Sequence, residues 1–140
     1  MRIAVGTDEV TTVTEAVERH LTAAGHEVVD IANGKLWPEV GRDVAAAIVD
    51  GAADRGLVWC WTGTGVSMAA NRVAGVRAAL CTDAETAVGA RRWNDANVLA
   101  LGIRLTGQPD SDPADAIRIV DAFLATEPDE SETDNISRLL

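Results

Sequence analysis

The sequence predicts a three-layer α/β/α domain built on a five-stranded parallel sheet. Three observations predict it. Short apolar runs alternate five times with amphipathic helical patterns, which is how strands joined by crossover helices read. The chain has 140 residues, close to the commonest size of a single domain. No internal repeat, low-complexity stretch or linker divides it.

The elements follow in order. Arg2 to Gly6 reads as the first strand. Val10 to Ala24 reads as a helix, because Val13, Val17 and Leu21 share one face. Gly25 stands where a helix-ending glycine belongs. Glu27 to Ile31 is the second strand. Trp37 to Ala53 holds a helix, with Pro38 suited to its first turn. Leu57 to Cys60 is the third strand, and Thr64 to Val73 the helix after it. Val76 to Cys81 is the fourth strand. Asp83 caps a helix that runs to about Trp93. Asn97 to Leu101 is the fifth strand, and Pro113 to Thr126 the last long helix. This division gives a domain over 1–126 and an acidic tail over 127–140. The tail is poor in apolar residues and reads as a mobile end, or an arm that orders on a partner.

Composition narrows the function. The net charge is −10 and the pI about 4.5. Such a surface repels nucleic acid and anionic membranes. No apolar run approaches the ~18 residues of a membrane span. The two cysteines, Cys60 and Cys81, sit in apolar stretches, and Met1 leads straight into a strand pattern. The expectation is reduced thiols in a cytoplasmic protein.

In a parallel α/β sheet, ligands sit beyond the carboxyl ends of the strands. Three segments are expected there: Gly6 to Glu9, Cys60 to Gly65, and the helix end Arg91 to Asp95. The second is the most informative. An apolar strand ends in Cys60, then Gly63 and Gly65 let a turn point backbone N–H groups at a ligand before a helix begins. A helix N-terminus favours a thiolate placed against it, and N–H donors can hold a developing oxyanion. The alternative is a tight turn above an inert buried thiol. Asp8 is either a cap before the first helix or a contact to a hydroxylated ligand. Asn94, Asp95 and Asn97 read most commonly as a plain turn closing a helix. His20 and His26 lie away from the strand ends and read as surface or packing residues. No metal-ligand spacing, serine–histidine–acid set or dinucleotide fingerprint is present.

The stretch Cys60-Trp61-Thr62-Gly63-Thr64-Gly65-Val66-Ser67-Met68-Ala69-Ala70-Asn71 resembles the C-G-T-G-x-G-x-S-x-A-A-N signature of the type B ribose-5-phosphate and galactose-6-phosphate isomerases. Ile3 to Asp8, Val76 to Cys81 and Asn94 to Gly102 continue the match, over roughly residues 1 to 126. The resemblance implies a Rossmann-like fold and interconversion of aldose and ketose through an enediolate. It implies a thiolate base at Cys60, with Thr62 in the catalytic set and an anion hole from the backbone of Thr62, Gly63, Thr64, Gly65 and Val66. It implies substrate contacts from Asp8, Asn94 and Arg104, and from Glu9 by position. It also implies a homodimer with shared sites, a small sugar-like ligand, and neither metal nor organic cofactor.

The departures share a direction. The histidine that follows the first-strand aspartate in the family is Glu9. The histidine of its H-N-D motif is Trp93, the glycine after the cysteine is Trp61, and the tyrosine before the second-segment proline is Trp37. Where the family carries phosphate-clamping arginines, this chain has Asp129 to Asp134, with Arg138 the remaining cation. A phosphate dianion needs cationic, bidentate partners. Tryptophan brings a flat, largely apolar surface. Trp37, Trp61 and Trp93 are therefore expected to line the pocket, and Trp59 to belong to the core. The expected function is an aldose–ketose isomerase acting on a sugar other than ribose 5-phosphate. A standard sugar-phosphate isomerase with compensating residues, or a non-catalytic binding relative, are the alternatives.

Overall fold

The computed structural model describes residues 1–106 and 112–139. Its five strands are β1 (Arg2–Thr7), β2 (Glu27–Asp30), β3 (Arg55–Cys60), β4 (Ala78–Leu80) and β5 (Val98–Gly102). They pair in the order β2-β1-β3-β5-β4, and every pairing is parallel. The helices are α1 (Thr12–Ala23), α2 (Trp37–Val49), α3 (Thr64–Ala70), α4 (Ala84–Asn94), α5 (Ile103–Thr106), α6 (Pro113–Ala125) and α7 (Thr133–Ser137). The predicted architecture is the observed one.

Two apolar layers cover the sheet. Ile3, Val5, Leu57, Trp59, Leu99 and Leu101 face α1, α4 and α6, in one cluster with Phe123. Ala4, Val58, Cys60, Val98 and Ala100 face α2 and α3. The strict alternation along each strand is the period-2 rule of a pleated sheet. Trp59 is buried to 1% exposure, as expected for a core residue.

Boundaries moved where side chains compete with the ladders. α1 begins at Thr12 rather than Val10, because Thr11 and Thr14 exchange side-chain and backbone bonds in a capping box. α2 stops at Val49, before Gly51 at φ +73. α3 stops at Ala70, and Asn71 turns to bond both backbone groups of Ala78 at 2.8 Å each. That contact blunts the open edge of β4. β4 spans three residues rather than six, since Arg77 N–H is taken by the Asn97 side chain. Asp83 does cap α4, accepting from Thr86 N–H at 2.7 Å.

The tail differs most from expectation. It holds a 3-10 turn (Glu130–Glu132) and α7, with Leu140 outside the described residues. Asp129 N–H donates to the Arg92 carbonyl at 2.7 Å, and α7 packs on α4. Local capping explains this order in so polar a segment. The Asp129 carboxylate accepts from Ser131 N–H, and Thr133 Oγ1 donates to the Glu130 carbonyl. No described helix is long and apolar enough to cross a membrane.

Candidate active site

The site is built on the carboxyl ends of the three central strands. Cys60 ends β3, between β1 and β5, and is 5% exposed. The register pairs Thr7 with Trp59 and Cys60 with Gly102. Asp8 N–H extends the ladder to the Trp59 carbonyl at 3.4 Å. Gly6 pairs with Val58, and both face α2. Two residues on along each strand, Asp8 and Cys60 therefore share that face side by side.

The turn above Cys60 is fixed by close backbone packing. Gly63 is the N-cap of α3 in the left-handed region at φ +78. A Cβ there would lie 2.5 Å from Leu80 Cδ1 and 2.9 Å from the Leu101 carbonyl carbon. Gly102 has the complementary role, since its Cβ would lie 2.9 Å from the Thr62 carbonyl oxygen. The turn thus lies directly on the end of β5. Arg104, in α5, ties it down further by donating its N–H to the Trp61 carbonyl at 2.9 Å. The hydroxyls of Thr62 and Thr64 are 2.6 Å apart, and both residues are exposed. Val66 is fully buried beneath the turn, in the apolar layer with Cys60.

Asp8 is half-buried. Burial first, and then the neighbouring Glu9 carboxylate, hold its pKa above the usual aspartate value. Glu9 is exposed; its backbone N–H and carbonyl are both engaged by Thr7 Oγ1. Cys81 directly follows β4 and lies on the opposite face of the sheet from Cys60, in the other apolar layer. Burial pushes its thiol up to about 11. It shares no surface with Cys60.

Trp37 and Trp61 both lie at this end. Trp61 is 51% exposed beside Cys60. Trp37 opens α2 and lays its indole on Gly65, where a Cβ would come within 2.9 Å of the ring.

Asn94 and Trp93 are not at this end, which corrects the expectation for Arg91 to Asp95. α4 starts at the carboxyl end of β4 and runs back, as a crossover helix must, so its last turn reaches the amino end of β5. The five residues of β5 separate that point from Gly102, roughly 15 Å along the sheet. There Asn94 lines a cleft of ≈ 470 Å³ with Asn71, Arg77, Ala79 and Leu139. Trp93 is 55% exposed and folds back over Gly89.

The reading of residues alone missed the group that fixes this helix end. Arg91 is 1% exposed. Its guanidinium donates to the Asp95 carboxylate at 2.6 Å, the Ala96 carbonyl at 2.7 Å and the Thr126 carbonyl at 3.1 Å, and lies over the Phe123 ring. Arg77 holds the second Asp95 oxygen at 2.9 Å. The available signal was a cation on the apolar face of α4, four residues before an aspartate. His20, by contrast, fits its packing role, joining α1 to α6 through Asp121 at 2.7 Å.

Comparison with known proteins bears on this arrangement. A family model described as Ribose/Galactose Isomerase matches residues 3–139, tail included. The galactose-6-phosphate isomerase subunit LacB of Clostridium acetobutylicum is 38% identical over 76% of this chain, and the match spans 65% of that protein. Ribose-5-phosphate isomerase B of Escherichia coli is 38% identical over 76% of this chain and 74% of its own. The D-erythrulose-4-phosphate isomerase of Pectobacterium atrosepticum is 35% identical over 91% of this chain and 84% of its own. The ribose-5-phosphate isomerase B structure from Clostridium thermocellum superposes with a TM-score of 0.90 at 34% identity, over 99% of this chain and 95% of that one. With the predicted sheet, the Cys60 turn and these matches in agreement, this chain belongs to the ribose/galactose isomerase family.

Proposed function

We propose that this protein is an aldose–ketose isomerase that moves a proton between adjacent carbons of a sugar, with Cys60 as the base. One observation carries the reading. Cys60 ends the central strand, next to the strand that leads into Asp8 and directly before the glycine turn that opens α3. Cys60 Sγ takes the proton from the carbon beside the carbonyl and returns it to the neighbouring carbon. The backbone N–H groups from Thr62 to Val66 hold the enediolate oxygens as charge develops on them. Asp8 contacts a substrate hydroxyl. Its raised pKa suits it to keep a proton in that hydrogen bond at higher pH than an ordinary carboxylate. Arg104 is the cation tied directly to the turn, through its backbone N–H to the Trp61 carbonyl.

The substrate is a sugar or sugar derivative other than ribose 5-phosphate. The segment matching the arginine clamp is an acidic helix docked on α4, and Glu9 adds negative charge at the mouth. The protein works as a homodimer in which Asn94 and Trp93 of one protomer complete the site of the other. Their exposed position at the far end of their own sheet supports this, because one chain cannot bring them to Cys60. Its two buried free thiols suit the cytoplasm.

The test is exchange of substrate hydrogen with deuterium oxide, across neutral and phosphorylated sugars of four to six carbons. Cys60→Ser is expected to lower the exchange rate by at least about 10³-fold at unchanged folding. Exchange that survives in Cys60→Ser removes the proposed base. No exchange with any sugar favours a binding protein without catalysis.

A further inference from the structure

We infer that Asp95 is a positioning residue: its carboxylate, shared by Arg77 and Arg91, sets the end of α4 that carries Asn94 into the partner's site. The inference rests on the shared-site reading above and adds the group that holds the lent residues in place.

The backbone at the end of α4 is unusual for this chain. α1 and α2 are followed by glycines in the left-handed region, Gly25 at φ +87 and Gly51 at φ +73. α4 ends instead on Asp95 at φ +44, the one non-glycine with positive φ among the described residues. The N–H groups of Asp95 and Ala96 close the turn on the carbonyls of Arg91 and Ala90, at 3.1 and 3.0 Å. Glycine would make this turn without strain. An L-residue held there points to a use for its side chain.

That use is to join three segments. Asp95 Oδ1 accepts from Arg91 Nη1 at 2.6 Å, and Oδ2 accepts from Arg77 Nη2 at 2.9 Å. Arg77 also donates through Nε to the Asp95 carbonyl at 2.8 Å. Arg77 directly precedes β4, and Arg91 reaches on to the Thr126 carbonyl, just past α6. One carboxylate therefore ties the approach to β4, the end of α4 and the start of the tail. The tail is fastened again by Asp129 N–H on the Arg92 carbonyl.

Between Arg91 and Asp95 lie Arg92, Trp93 and Asn94, and all three are exposed. Among the described residues, no group bonds the Asn94 side chain. With no partner of its own, the Asn94 amide takes its direction from the backbone that Arg91 and Asp95 clamp on either side. The residues offered to the partner thus sit on a short loop fixed at both ends by one buried ion-pair network.

The experiment uses the full chain and reads deuterium exchange over neutral and phosphorylated sugars of four to six carbons. Asp95→Asn keeps the size and tolerates the left-handed backbone, but removes the charge. It should lower kcat/KM roughly tenfold or more, the scale of one misplaced substrate contact. Gly25→Ala, destabilised away from this network, should keep kcat/KM within about twofold of wild type. Subunit exchange then shows where the defect acts. Asp95→Asn mixed with Cys60→Ala should recover about a quarter of wild-type activity, because half the dimers join an intact Cys60 to an intact α4 end. Mixed with Asn94→Ala, it should stay at the mean of the two parents, since both lesions lie in the same half-site. If Asp95→Asn does not fold, Arg77→Gln leaves the Arg91 pair in place and should give the same pattern. Recovery with Asn94→Ala, no recovery with Cys60→Ala, or activity equal to that of Gly25→Ala overturns the inference and leaves the isomerase reading standing. No recovery in the reference pair, Cys60→Ala with Asn94→Ala, removes the shared site and this inference with it.

Discussion

Gly63 is the position at which the shape of the turn can be tested most directly. Its substitution by alanine carries two separable costs. The first is conformational: at φ +78 an L-residue pays about 1–2 kcal/mol. The second is steric. The new Cβ would stand 2.5 Å from Leu80 Cδ1 and 2.9 to 3.0 Å from the Leu101 carbonyl group. Leu80 can rotate away, but the Leu101 backbone belongs to β5, paired on both sides, and cannot. Overpacking of this kind costs about 1–3 kcal/mol. Gly63→Ala should therefore lose about 2–5 kcal/mol, a large part of the stability of a domain this size. Two controls split the sum. Gly25 has φ +87 with nothing within 4 Å of its would-be Cβ, so Gly25→Ala should cost only the conformational part, about 1–2 kcal/mol. Gly102 has no positive φ but a Cβ clash with the Thr62 carbonyl, so Gly102→Ala should cost about 1–3 kcal/mol. Urea unfolding at matched slope gives the three differences, and the midpoint of Gly63→Ala should fall on the order of 1 M below that of Gly25→Ala. Deuterium exchange should drop in the Gly63 and Gly102 variants and persist in Gly25→Ala. Equal losses at Gly63 and Gly25 would mean that the turn does not rest on β5, and the account of how the N–H groups are held would be wrong.

Other outcomes follow from the same coordinates. Arg91→Ala should cost about 3–5 kcal/mol in urea, because it leaves buried carbonyl groups and Asp95 without their shared donor; a loss below about 1 kcal/mol would contradict that assignment. Cys81, with its thiol pushed up to about 11 by burial, should resist alkylation at pH 8 in the folded protein and react once urea unfolds it. Asp8 has a raised pKa, so the fold binds its proton more tightly than the unfolded chain does. Its contribution to stability must fall as pH rises from the ordinary aspartate value through the raised one. Asp8→Asn should thus raise Tm at pH 7 and not at pH 3 while impairing exchange, and an unchanged or lower Tm at pH 7 would refute the burial argument. Finally, Cys60→Ala and Asn94→Ala proteins, each inactive alone, should recover about a quarter of wild-type activity when mixed and allowed to exchange subunits, since half the dimers then carry one intact site; no recovery would place Asn94 outside the partner's site.

The sheet was legible because its strands are apolar on both faces and its helices amphipathic. Each periodicity is set by burial, which a single chain displays openly. Element ends were less so. Asn71 and Asn97 spend their amides on distant backbone groups, and such pairings depend on which strands become neighbours. At the candidate site, Cys60 and Asp8 were readable because strand ends in a parallel sheet converge, whereas Arg104 came from the family resemblance alone. Asn94 was placed wrongly for a related reason. It follows a strand–helix unit in sequence, but the crossover returns it to the amino end. The order of the acidic tail was hidden because Asp129, Ser131 and Thr133 satisfy backbone groups locally, which composition does not record.

Under the proposed function, the fold gives the base and the substrate contacts unequal freedom to vary. Cys60, Gly63 and Val66 are buried and held by glycine contacts against β5 and Leu80. A substitution there must disturb packed backbone, at a cost of several kcal/mol. Trp37, Trp61, Trp93, Glu9 and Arg104 are exposed. Exposed side chains can change for only a few tenths of a kcal/mol each. The proposed base and the proposed substrate contacts therefore sit on parts of the molecule with very different tolerance. Standing where the family has histidines and arginines, Trp93, Glu9 and the acidic tail leave the fold intact. The turn survives such changes because it is held from below by β5, not from above by the residues proposed to meet the substrate.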